Sequence, residues 1–208
     1  MILNYFQNNW KEYLELLGQH IEITCIVILI SMLIAIPLGI ISSKNHKIRM
    51  CCERFFGFLR VVPSLAILIA CIPIIGTGIV PAILALTILA IPPILLNTIQ
   101  AFLNLPDSTI EAAIAMGMSE RMCFFKVKVP LAFPLVFTGV RTAVVEVIAS
   151  ATLAAYIGAG GLGSIIFTGL GLLREDLLII GGCSVALLSL ITSILLNLIY
   201  RRKTRYLL

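Results

Sequence analysis

The chain has 208 residues, 60% of them hydrophobic and only 12% charged, with a formal net charge of +5 at pH 7. Soluble domains run roughly 45–50% apolar, so this composition excludes an ordinary soluble fold and points to a bilayer. The 15 Lys and Arg are spread over several membrane-proximal loops and form no single patch, which excludes nucleic acid as a partner.

Residues 1–19 carry Asn4, Gln7, Asn8, Asn9, Lys11, Glu12 and Glu15. They lack the basic and short apolar regions of a cleavable signal peptide, so the first long apolar run should stay as an anchor. Leu3, Phe6, Trp10, Tyr13 and Leu17 recur at helical spacing, which predicts a short helix lying in the outer interface over 1–19.

A helix needs about 20 mostly apolar residues to cross the hydrocarbon core, and five segments qualify: 20–42, 59–75, 79–102, 131–156 and 177–199. The fold class is therefore all-α, a polytopic membrane domain over 20–200 followed by a basic tail at 201–208. Pro63, Pro73, Pro81, Pro92 and Pro93 interrupt the second and third spans, which should face protein because lipid cannot satisfy the freed backbone groups.

Basic residues sort by loop. Lys44, Lys47, Arg49, Arg54 and Arg60 follow span one, Arg121, Lys126 and Lys128 follow span three, and Arg201, Arg202, Lys203 and Arg205 follow span five. Only Lys11 and Arg174 fall on the opposite side, so the positive-inside rule puts the N-terminus outside and the C-terminus in the cytoplasm. Cys25, Cys51, Cys52, Cys71, Cys123 and Cys183 form no CxxC pair and have no histidine nearby to complete a zinc set. They read as small hydrophobes, with no metal or cofactor implied.

With this topology the longest cytoplasmic loop is 103–130, and 107–130 reads as a helical hairpin. Ser108 and Glu111 have capping-box spacing behind Pro106 and Asp107, so a first helix should start near Ser108. Gly117 can end it in a left-handed conformation and Ser119 can cap a second helix, which carries Met118, Met122, Phe125 and Val129 on one side. Pro130 and Pro134 should mark the return into the membrane. An exposed hairpin with Met and Phe on one face suits a hydrophobic groove of a partner.

The residues Glu111, Ala112, Ala113, Gly117, Val127, Val129 and Pro130 resemble the E-A-A…G…P signature of bacterial ABC-importer permeases, with Val127 and Val129 where Ile and Leu are more usual. The resemblance implies a coupling hairpin that inserts into a cytoplasmic ABC ATPase dimer, with Met118 among the coupling residues. It also implies an extracytoplasmic substrate-binding protein and a second permease protomer, identical or related.

In the fourth span, Arg141 and Glu146 would each cost about 2.5–3.5 kcal/mol at the bilayer centre. Five positions apart, they point about 140° away from each other, so an intrahelical bridge is poor. Arg141 is close enough to the inner surface to snorkel. Glu146 is deeper, and both lining a permeation path and pairing with the neighbouring protomer remain open for it.

The run GAGGLG at 158–163 matches a dinucleotide fingerprint, but it follows an apolar helix and not a strand, so nucleotide binding is rejected. The same run occurs in methionine and osmoprotectant permeases. That resemblance makes Gly158, Gly160, Gly161 and Gly163 part of an irregular segment at the outer mouth of the path, with 158–173 open to being either re-entrant or a further span.

Residues 62–98 resemble the permeases of osmoprotectant importers for glycine betaine, carnitine and choline, and the likeness extends from span one to span five. The spans hold few aromatics for an ammonium cage, so selection should reside in the binding protein. No Walker lysine motif or catalytic cluster is present, so the chain is read as a transport subunit and not an enzyme. A methionine importer permease is the alternative within this fold. A secondary transporter would need more deep acids and an internal repeat. An intramembrane enzyme would need a catalytic cluster, and His20 and His46 lie at opposite ends of span one.

Overall fold

The computed structural model describes residues 2–204, with side chains from Tyr5 onward; Arg205 and the side chain of Leu3 lie outside the described residues. It is all helical, with no strand among the described residues. Helix α1 runs over Ile2–Lys44, α2 over His46–Leu59, α3 over Ser64–Ile75 and α4 over Ile79–Leu103. The hairpin follows as α5, Asp107–Ala115, and α6, Glu120–Cys123, and then a wide π turn over Phe124–Lys128 leads into α7, Val129–Ala154. A 3-10 turn, Ala155–Ile157, precedes α8, Gly163–Gly171, and α9, Glu175–Thr204.

Helix α4 is the centre of the bundle. It is hydrophobic all round, from Ala82 and Leu86 through Ile94 and Leu95 to Ile99, and it is buried against α1 on one side and α7 on the other. Its paired prolines do not break it. Below them, Asn97 Nδ2 donates to the Pro93 carbonyl at 2.8 Å and Thr98 Oγ1 donates to that of Ile94 at 2.7 Å. Large apolar side chains such as Leu29 and Leu33 of α1 and Leu187, Leu190 and Ile194 of α9 stay exposed, as expected where lipid is the solvent.

Three expectations change. The N-terminal segment does not end ahead of span one: a first short helix gives way at non-helical backbone at Asn9, and from Trp10 the helix runs on without a break into span one. Its aromatic stripe faces protein, since Tyr5, Phe6, Tyr13, Leu16 and Leu17 pack on Leu162, Ile165, Leu177 and Ile180, and the Tyr13 hydroxyl donates to Ser184 Oγ at 2.9 Å. Among the described side chains of the stripe, only Trp10 keeps half of its surface free. The α8–α9 pair supplies the apolar wall that lipid was expected to supply.

The second span is also different. Helix α3 has 12 residues, about 18 Å at 1.5 Å each, too short to cross alone. It joins α2 at a bend of 95° around Val61–Pro63, so among the described residues four helices are long and apolar enough to span, or five if the bent pair counts as one. Pro63 is the N-cap of α3 and restricts Val62 to extended backbone, which forces the corner. Asn45 starts α2 by accepting from the Lys47 and Ile48 amides at 3.0 and 3.4 Å.

Finally, α6, the π turn, α7 and the 3-10 turn form one unbroken helical run over Glu120–Ile157, passing straight through Pro130 and Pro134. The Val129 amide bonds to the Phe124 carbonyl, the five-residue spacing of a π turn. This widening relaxes the backbone just where the ring of Pro130 would meet the carbonyl four residues earlier.

Candidate functional site

The hairpin is anchored on its inner side and free on its outer one. Helix α5 is capped by Pro106, with Asp107 in the first turn and no side-chain cap bond. Ser108 is therefore inside the helix and the expected capping box does not form; proline's fixed φ already preorganises the start. Gly117 has φ +81°, and the Met118 amide reaches the Ala113 carbonyl at 3.2 Å while the Gly117 amide reaches that of Ile114 at 2.9 Å. Those two bonds are a Schellman motif, the helix end expected from Gly117. Ser119 caps α6 as expected, accepting from the Met122 amide at 3.4 Å.

Ala113 and Cys123 are buried beneath the hairpin. Phe124 stacks on Phe102 at the end of α4 with centroids 6.0 Å apart, and Lys44 Nζ lies 5.8 Å from the Phe124 centroid. Met116 is 73% exposed and Phe125 60%, with Ile114 and Met122 also open. Glu111, Ala112 and Pro130 are exposed beside them, whereas Met118, Val127 and Val129 are half-buried against the bundle. The outward apolar set is thus Ile114, Met116, Met122 and Phe125, which only partly coincides with the stripe read from spacing, because the Schellman turn rotates the two helices.

At the opposite end, the GAGGLG run forms a tight turn against α1 and α7. Gly158, Gly160 and Gly161 have φ near +80°. The Gly161 amide donates to Gln19 Oε1 at 3.1 Å, and a Cβ on Gly161 would meet His20 Nδ1 at 3.1 Å. A Cβ on Gly160 would strike Gln19 Oε1, and one on Gly163 would strike the Thr152 carbonyl. Gly161 and Gly163 are buried, Gly160 is half-buried and Gly158 is exposed. The Gly78 amide donates to the Ile157 carbonyl at 2.7 Å, tying α4 to the same turn. His20 is fully buried with Nε2 3.1 Å from the Ile148 carbonyl. Sequence reasoning gave Gln19 no role and weighed His20 only against a catalytic cluster, although a polar pair opening an apolar run was the available signal.

Glu146 has a partner in its own chain: Arg60 Nη2 lies 3.6 Å from its Oε1, with the two side chains 50% and 44% exposed. Arg60 stands at the α2–α3 bend and not in a loop at the hairpin end, because Glu146 is about 25 Å along α7 from Val129. Removing Arg60 from the loop cluster leaves the charge asymmetry intact. Arg141 does not bridge to Glu146; its Nη2 donates to Ser193 Oγ of α9 at 3.2 Å. Among the described residues no three of His, Cys, Asp or Glu converge on one point.

Residues 35–205 match the family described as binding-protein-dependent transport system inner membrane component. The carnitine transport permease protein OpuCB of Listeria monocytogenes is 38% identical over 203 residues, covering 98% of this chain and 93% of that protein. The glycine betaine/carnitine/choline transport system permease protein OpuCB of Bacillus subtilis is 34% identical over 98% of this chain and 94% of its own length. An inward-facing structure of the MetNI methionine ABC transporter superposes with a TM-score of 0.78 at 22% identity, over 92% of this chain and 96% of that one, a likeness of fold.

Proposed function

The chain belongs to the binding-protein-dependent transport system inner membrane component family, as a multi-pass ABC-importer permease subunit of the osmoprotectant type, and from that premise we propose that it passes quaternary-amine solutes such as glycine betaine, carnitine or choline. The observation that carries this reading is the near full-length match, at 38% identity, to a carnitine permease. The methionine alternative has in its support a shared fold at 22% identity. A membrane subunit of this family implies an ATPase partner and a binding protein, and the latter is where the solute is selected.

In this reading Glu111, Ala112, Ala113, Gly117, Met118, Val127 and Pro130 frame the hairpin that docks into the ATPase, with Met116 and Phe125 entering its groove. Glu146 belongs to the wall of the path formed with a second protomer, and Gly158, Gly160, Gly161 and Gly163 frame the outer mouth. Deleting this chain, with its ATPase and binding protein retained, is expected to abolish ATP-dependent uptake of betaine, carnitine or choline and to slow growth at high salt in their presence. Unchanged uptake of all three, with methionine uptake lost instead, would move the assignment to a methionine importer.

The orientation inferred from the basic loops puts the N-terminus outside. With Cys25, Cys51 and Cys183 changed to alanine, an Asn8→Cys reporter should react with an impermeant thiol reagent in intact cells. A Thr204→Cys reporter should react only after permeabilisation. The opposite pattern would overturn the topology.

A further inference from the structure

The Arg60–Glu146 pair is the only ion pair among the described residues that joins two elements at membrane depth; the other, Arg174–Asp176, is local to the α8–α9 connection. It is also loosely made. One contact of 3.6 Å joins two half-exposed groups, and neither side chain has another polar partner among the described residues. Charges at this depth face a bundle interior or a water-filled cavity and not acyl chains. The surface around the pair agrees with that, because Thr138, Thr142, Glu146 and Ser150 follow one another at four-residue spacing along α7, and none of them is buried. The Thr138 and Thr142 hydroxyls are directed to the Pro134 and Thr138 carbonyls of their own helix, so the stripe is polar without offering strong fixed binding groups.

We propose that this pair is a transient recognition point for zwitterionic solutes, in which Arg60 takes the solute's carboxylate and Glu146 its ammonium as the solute passes. The proposal rests on the permeation reading above and adds a residue that sets how readily each solute crosses once the binding protein has selected and delivered it. Arg60 and Glu146 sum to zero charge, so the pair lays no fixed charge across the path. A weak, half-exposed pair is easily opened, and a zwitterion replaces each partner with a group of the same sign. The two halves of the exchange are unequal. A guanidinium binds a carboxylate through paired hydrogen bonds, whereas a quaternary ammonium has no N–H and meets Glu146 through charge alone. Arg60 is therefore the group that senses whether a carboxylate is present.

The test uses the complete transporter, with its ATPase and binding protein, in proteoliposomes. Uptake of betaine or carnitine is compared with uptake of choline, which has no carboxylate, each normalised to inserted permease. Arg60→Gln should lower zwitterion uptake by roughly tenfold or more while choline stays within about threefold of the parent. Arg60→Lys, which keeps the charge but not the paired hydrogen bonds, should recover only part of the zwitterion rate. Glu146→Gln should slow both classes of solute. Equal losses for choline and zwitterions in Arg60→Gln would make the pair a structural pin, and no loss in either would make it idle; both outcomes overturn the proposal. A parent transporter that moves neither class would remove the substrate reading and this proposal together.

Discussion

Gly117→Leu is expected to insert normally and to copurify with its ATPase, yet to lose solute uptake by at least about tenfold while ATP hydrolysis continues. No heavy atom lies within 4 Å of where a Cβ would stand, so nothing steric opposes the new side chain. What opposes it is the backbone, since φ is +81° and an L residue in that conformation costs about 1–2 kcal/mol. Relieving the strain breaks the bonds from Met118 to Ala113 and from Gly117 to Ile114, and with them the angle that sets Met116 against Met122 and Phe125. Gly117→Asn, which tolerates the left-handed region, should retain most of the uptake. Glu111→Lys should uncouple for a different reason: Glu111 is exposed and caps nothing, so the change would act at the docking surface. Uptake and ATP hydrolysis measured together in proteoliposomes decide this. Wild-type coupling in Gly117→Leu would remove the hairpin from the coupling role.

The long apolar runs were legible because composition alone marks them. Helices α1, α4, α7 and α9 lie where 20–42, 79–102, 131–156 and 177–199 were read. The failures have a common cause: hydropathy measures how apolar a segment is and not what covers it. The stripe of Phe6, Tyr13 and Leu17 has the pattern of an interfacial helix, and only the tertiary fold reveals that α8 and α9 cover it. The run 59–75 is apolar enough for a span, but Pro63 divides it at a right-angled corner. Helix ends were better read where a single residue decides them, as Gly117 and Ser119 do, than where two signals compete, as Pro106 and Ser108 do.

The candidate site was half legible. Glu146 stood out as a charge in an apolar run, but its partner is 86 positions away in sequence and was assigned to a loop by proximity to other basic residues. The glycine run was recognisable as an irregular segment, whereas its clamp by Gln19 and His20 depends on α1 returning to the same end of the bundle. Pairings of this kind are set by topology, and no periodicity within either segment encodes them.

The largest stability effect outside the glycine turn is expected at Gly139. In sequence it is one more helical glycine, no different from Gly18 or Gly57. In the fold it lies against α4 so closely that a Cβ would stand 2.7 Å from both Asn97 Cβ and the Pro93 carbonyl oxygen. Neither neighbour can yield cheaply, because the carbonyl is backbone at the paired prolines and Asn97 is held by its own bond to Pro93. Close approach of backbones through small residues is a main source of helix association in lipid. Gly139→Val should therefore push α4 and α7 apart, with an overpacking cost of about 1–3 kcal/mol or more. Its thermal midpoint in detergent should fall by roughly 5–10 °C relative to the parent. Gly57→Ala and Gly18→Ala are the controls: nothing lies within 4 Å of either added Cβ. At a helical position alanine is favoured over glycine by about 0.5–1 kcal/mol, so both should melt at or above the parent temperature. An unchanged midpoint in Gly139→Val, or an equal fall in Gly57→Ala, would mean that the α4–α7 contact does not limit the stability of the bundle.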